Sequence, residues 1–176
     1  MTSGPPLASS WAAAPEFYTD ENSGTRAVRR LLLRLGYTVH TPAELYGTRT
    51  AAEGVPDEDW LAKVGTRGWT VIGRDVKIYE RPAELAAYRQ ARIHVFLLPG
   101  QAIVAELVHL IEVNLTDMCT FASSRQPGTW RLTKRGPVPY DIAGAQKAAQ
   151  RRASASQCPA CSEAVRRLQG PAGRPW

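Results

Sequence analysis

Histidine and cysteine are scarce, three of each in 176 residues. That poverty removes most routes to a soft-ligand metal centre. Cys119, Cys158 and Cys161 are odd in number, which argues against a disulfide framework and for a reducing compartment. Cys158 and Cys161 form a single Cys-x-x-Cys, two ligands short of a structural zinc site. Its polar, Ala-rich flanks do not suit thioredoxin-like chemistry either. No stretch approaches the roughly 18 apolar residues of a membrane span. The start, MTSGPPLASSWAAAPE, has neither a basic opening nor an apolar core, so it does not read as a secretory leader. The expected location is the cytoplasm, with no membrane partner. Acids are also unevenly spread. Residues 125–176 carry 10 Lys and Arg against 2 Asp and Glu, whereas residues 1–124 carry 12 against 14. A basic segment on a mildly acidic body suits contact with polyanions, and the same composition also suits a solvated, disordered tail.

Strand and helix signals alternate through the body. Pro15–Thr19 reads as a strand. Gly24–Leu35 reads as a helix, with Val28, Leu31, Leu32 and Leu35 at i, i+3, i+4 and i+7. Asn22 or Ser23 is placed to cap its start and Gly36 to end it. Residues 37–41, YTVHT, form a second strand signal. Pro42–Gly54 reads as a connection with a weak helical turn. Residues 57–68, DEDWLAKVGTRG, read as a helix whose first-turn acids suit the positive end of the helix dipole, with Trp60, Leu61 and Val64 inward. WTVIG at 69–73 is apolar enough for a buried parallel strand. A helix over 81–92, a strand over 93–98 and a helix over 101–115, closed by TDMC, complete the series. This alternation predicts an α/β fold with a doubly wound, mostly parallel sheet.

The expected organisation is a flexible N-terminus over 1–14, one domain over 15–122 and a basic extension over 123–176. Within the extension, TWRLTKRG at 129–136 reads as an edge strand and residues 143–156 as an Ala-rich helix without an apolar face.

The acids carry the functional signal. Ligands of open parallel sheets bind at the carboxyl ends of the strands. Asp20, in FYTDEN, follows the first strand and Asp75, in VIGRD, follows the third. Asp57 and Asp59 open the helix that leads into that third strand. Each acid taken alone also suits a cap or an Asx-turn. Grouped carboxylates repel one another unless a cation lies between them. Oxygen-only donors suit Mg²⁺ or Mn²⁺ better than Zn²⁺. Asp20, Asp57 and Asp75 are the expected ligands, with Glu21 and Asp59 as second choices for ligand or general base. Arg26, Arg29 and Arg30 line one side of the first helix near Asp20, suited to phosphate contact or simply to solvent. Trp130, next to Arg131 and close to Lys134 and Arg135, suits either base stacking or a core position. Trp60 and Trp69 read as core, and His109 as a packed histidine.

FYTDEN, an amphipathic helix, LGYTVHT and then PDEDWLAKVGTRGWTVIGRDVKI together resemble the PIN-like domains of the VapC-type toxin superfamily over residues 15–115. The resemblance implies a three-layer sandwich around a mostly parallel sheet. It implies a Mg²⁺- or Mn²⁺-dependent ribonuclease, usually the toxin half of a toxin–antitoxin pair, with an antitoxin protein covering the acidic rim; a homodimer is left open. Carried over by motif, the early acid is Asp20 with Glu21 beside it, the central acid Asp57 and the final acid Asp75. Where the family pattern has Thr before the last acid, this chain has Gly73, followed by Arg74, a candidate phosphate contact. A fourth acid has no clear match, and Glu53 or Asp59 could serve. These departures keep open a catalytically degenerate PIN-like fold that binds RNA or protein. A phosphoryl-transfer domain of another family is the less favoured third reading.

Overall fold

A computed structural model describes residues 4–19, 26–123 and 126–156. Short β-branched and aromatic runs build six strands: β1 (Phe17–Thr19), β2 (Val39–His40), β3 (Thr70–Gly73), β4 (Val95–Leu97), β5 (Thr129–Thr133) and β6 (Gly136–Pro139). They form one sheet in the order β2-β1-β3-β4-β5-β6. The first five are parallel and β6 is antiparallel to β5. β2 pairs with one flank of β1 and β3 with the other, so the winding direction reverses between β1 and β3. In such sheets that reversal opens a crevice at the carboxyl ends of the strands.

The described helices are α1 (Arg26–Arg34), α2 (Pro42–Tyr46), α3 (Arg49–Ala52), α4 (Asp57–Arg67), α5 (Pro82–Ala91), α6 (Val104–Ala122) and α7 (Ile142–Ser156). Strand side chains alternate between faces. Phe17, Ile72, Phe96 and Leu132 join a core with Val28, Leu31 and Leu32 of α1 and Leu107, Ile111, Leu115 and Met118 of α6. The opposite row, in register, is Tyr18, Val71, Val95 and Thr129. On that side Tyr18 stacks on Trp60 of α4, and Tyr88 of α5 hydrogen-bonds Thr129. The result is an α/β three-layer sandwich. Helices α4 and α5 approach closely at Gly65, where a Cβ would stand 2.5 Å from the Ala91 carbonyl oxygen.

Several elements differ from the sequence reading. Helix α6 does not end at TDMC but runs to Ala122, because Leu115, Met118 and Cys119 continue the buried stripe of Leu107, Leu110 and Ile111. His109 falls between those inward positions and is exposed rather than packed. The connection 42–54 holds two short helices. Thr41 and Glu44 form a reciprocal capping box at α2, and Thr48 caps α3. The edge strand expected at 129–136 is an inner strand, β5. The turn after it returns the chain as β6, which takes the edge. Trp130 lies against Phe96, His94 and Phe121, the packed alternative of its two readings. Trp60 and Trp69 are half-buried instead of fully enclosed.

Two strands of the sheet thus lie beyond residue 122, and residues 141–176 form a separate unit in which α7 is described. Part of the segment 1–14 packs on the body: the Ala8 amide donates to Leu35 O, and the Trp11 indole donates to the Tyr37 hydroxyl at 3.0 Å. Asp20, Glu21, the helix caps Asn22 and Ser23, and Cys158 and Cys161 lie outside the described residues. No described helix is long and apolar enough to cross a membrane.

Candidate active site

The winding reversal places a hollow at the carboxyl ends of β1, β3 and β4, on the side of α4 and α5. It measures about 250 Å³ and is lined by Tyr18, Gly73 and Leu97 from the strands, together with Tyr46, Glu53, Asp57, Trp60 and Asp75. Two of the three acids expected to share an ion, Asp57 and Asp75, therefore face one space. The third, Asp20, directly follows the last residue of β1 in sequence.

Each of the two described acids is oriented by a local donor. Asp57 opens α4, and its Oδ1 accepts the Trp60 indole N–H at 2.7 Å, one turn along the same helix. Asp75 follows β3 on the loop to a 3-10 turn, and its Oδ1 accepts the Lys77 amide at 2.7 Å. In both, Oδ2 accepts no hydrogen bond from the described residues. Each carboxylate thus has one oxygen tethered and one uncommitted.

The other expected residues are distributed differently. Asp59 is exposed and outside the lining; its charge acts on the Tyr46 phenol. Glu53, the other candidate for a fourth acid, does line the hollow. Arg26 and Arg30 are exposed on α1, which packs on the opposite face. Arg74 is half-buried and donates to the Gly100 carbonyl. Gly73 lines the hollow and brings no side-chain hydroxyl to it.

Two residues went unnoticed in the sequence. Arg81 precedes α5 and donates to Glu84 at 2.5 Å. Its guanidinium is held above the ordinary arginine value, first by the hydrogen bond and charge of Glu84 and further by the charges of Asp57 and Asp75. Both acids thus act on this cation. The signal was an Arg six positions after Asp75, concealed because Arg-Pro reads as an ordinary helix entry. Tyr46 is the second: its hydroxyl is buried in the lining without a hydrogen-bond partner among the described residues. Burial first, and Asp59 second, push that phenol above its usual value. Its place in the connection 42–54 gave no functional cue.

The donor chemistry fits a hard divalent cation. The uncommitted groups are carboxylate oxygens, and the orphaned Tyr46 hydroxyl offers a polar contact to a hydrating water or a phosphate oxygen. Among the described residues no three His, Cys, Asp or Glu side chains gather into a complete cage.

In open parallel α/β sheets a hollow at the winding reversal is where ligands bind. More specifically, residues 15–100 match the family model described as PIN like domain, and this part of the chain is a PIN-like domain. Domains of this kind are commonly nucleases and generally use divalent metal ions. No curated protein and no solved structure gives a significant match.

Proposed function

We propose that the protein is a Mg²⁺- or Mn²⁺-dependent endoribonuclease, the toxin half of a type II toxin–antitoxin pair acting in the cytoplasm. The observation that carries the reading is the shared hollow of Asp57 and Asp75, each with one carboxylate oxygen tethered and the other uncommitted. Asp57 and Asp75, together with Asp20, would hold the ion. When bound, the ion supplies Lewis acidity toward a phosphodiester and eases proton loss from water. Glu53, on the hollow's lining, is placed to take that proton; Glu21 is the alternative. Arg81 offsets the two acids while the hollow is empty of metal and then faces the incoming phosphate. Arg74, Arg26, Arg30 and the basic residues after 125 supply the remaining positive charge for an RNA backbone. An antitoxin protein covering the acidic rim would hold the enzyme silent.

The test is RNA cleavage by the purified chain with Mn²⁺ or Mg²⁺. Wild type is expected to cleave, while Asp20→Asn, Asp57→Asn and Asp75→Asn each lose about 100-fold or more, the scale of removing a charge-stabilising group from an active site. Equal cleavage by wild type and variants would assign the activity to a contaminant and end the reading.

One observation favours a second reading, a catalytically degenerate PIN-like module that binds RNA or protein. Gly73 brings no hydroxyl to the hollow where the family pattern has one. RNA retention without cleavage, unchanged by chelator, would select it.

A further inference from the structure

Asp57 is held by an unusual chain of contacts. Its Oδ1 accepts the Trp60 indole N–H at 2.7 Å. The Trp60 ring stacks on Tyr18, with centroids 5.5 Å apart and planes 16° apart. Tyr18 is 2 % exposed and sits in β1. Beyond it the series continues through Trp69, centroids 6.3 Å away at 12°, to His40, 3.6 Å from Trp69 at 12°. Four rings therefore lie nearly parallel, from the β2 edge of the sheet to the mouth of the hollow. The stack restrains the plane of the indole, and the hydrogen bond directs its N–H at Asp57.

We propose that Trp60 is the positioning residue of the metal centre: its indole N–H, on a ring held in plane by the stack on Tyr18, tethers Oδ1 of Asp57 and so turns the carboxylate to present Oδ2 to a divalent cation. The inference rests on the metal-binding reading above and adds the group that orients the acid. Asp75 has the equivalent anchor in a backbone amide, which no side-chain substitution removes. At Asp57 the anchor is a side chain, so the two parts of Trp60, ring and N–H, can be separated by mutation. Partners that orient a metal-bound carboxylate are worth about 10–100-fold in metal affinity.

The experiment compares wild type with Trp60→Phe and Trp60→Ala. Phe keeps a ring for Tyr18 but has no N–H, and Ala has neither. Mn²⁺ affinity is read by titration calorimetry, Tm by thermal melting, and the Trp60 indole proton by NMR during Mg²⁺ titration of wild type. The expected result is that Phe loses about 10–100-fold in Mn²⁺ affinity, as Ala does. Only Ala shows the larger fall in Tm. The wild-type indole resonance moves with a midpoint equal to the calorimetric one. A Phe variant that binds Mn²⁺ like wild type overturns the proposal, and so does an indole resonance that ignores saturating Mg²⁺; the NMR result stands even where a variant fails to fold. Failure of wild type to bind either ion strikes the metal reading itself and this inference with it, whereas normal wild-type binding with an unaltered Phe variant strikes the inference alone.

Discussion

The same strands furnish the two faces of the sheet very differently. Toward α1 and α6 they send Phe17, Ile72, Phe96 and Leu132, and the helices answer with Leu, Ile, Val and Met. Few buried side chains on that side are polar, and Asn114 Oδ1 has no partner among the described residues. Asn114 donates to the Leu110 and Thr133 carbonyls, and the Cys119 thiol meets the Tyr37 hydroxyl at 3.4 Å. Toward α4 and α5 the strands send Tyr18, Val71, Val95 and Thr129, met by Tyr79, Tyr88 and Trp60. Glu84 is buried there with Oε2 unpartnered, and the acidic hollow opens at the carboxyl edge. A largely apolar face serves to hold the fold. Directional polar groups, which cost stability when buried unless satisfied, collect on the face that presents chemistry.

That contrast makes mutations separable. The largest expected effect lies on the apolar face: Phe96→Ala should cost about 3–5 kcal/mol, read as a fall in the urea midpoint, while metal affinity per folded molecule stays at the wild-type value. Asp57→Asn should do the reverse, with Tm near wild type and metal binding lost. A Phe96→Ala protein that folds normally yet binds metal poorly would dissolve the division.

Alkaline pH probes both faces at once. Burial holds the phenols of Tyr79 and Tyr88 above the usual 10.0. Tyr37, next to the apolar core, is raised by burial first and by its Cys119 hydrogen bond second. Above pH 10 the unfolded chain releases phenolic protons that the native state keeps. Their contribution is therefore complete below pH 10 and is lost as pH climbs toward the raised native values. The slope is about 1.4 kcal/mol per pH unit for each phenol. Urea midpoints should hold level up to about pH 10 and fall beyond it, and Tyr79→Phe and Tyr37→Phe should each remove one share of that fall.

The smallest effect concerns Arg81. Arg81→Gln keeps a donor for Glu84 and deletes the charge facing Asp57 and Asp75. Mn²⁺ should then bind more tightly, by up to about 5-fold at low salt, the scale of an exposed charge pair. The gain should shrink as salt screens it. Weaker Mn²⁺ binding by this variant would show that Arg81 supports the ion site instead of opposing it.

Most of the architecture was legible because periodicity reports burial directly. Val28, Leu31 and Leu32 mark α1, and the apolar WTVIG marks β3. The hollow's two described acids were legible because strand ends and helix starts share one edge of such a sheet. Reading failed where tertiary partners decide. Nothing local says that α6 continues past TDMC until its stripe meets the sheet, or that TWRLT gains a neighbour on its outer side. Arg81 and Tyr46 escaped for the same reason: their meaning lies in groups distant along the chain.

The outermost strand, β6, reads Gly-Pro-Val-Pro. Pro137 and Pro139 have no amide hydrogen to offer an incoming chain. The opposite border, β2, is two residues long, too short to template much pairing. Open-ended growth by adding strands from neighbouring molecules is disfavoured at both borders, so the sheet is a poor template for edge-to-edge aggregation.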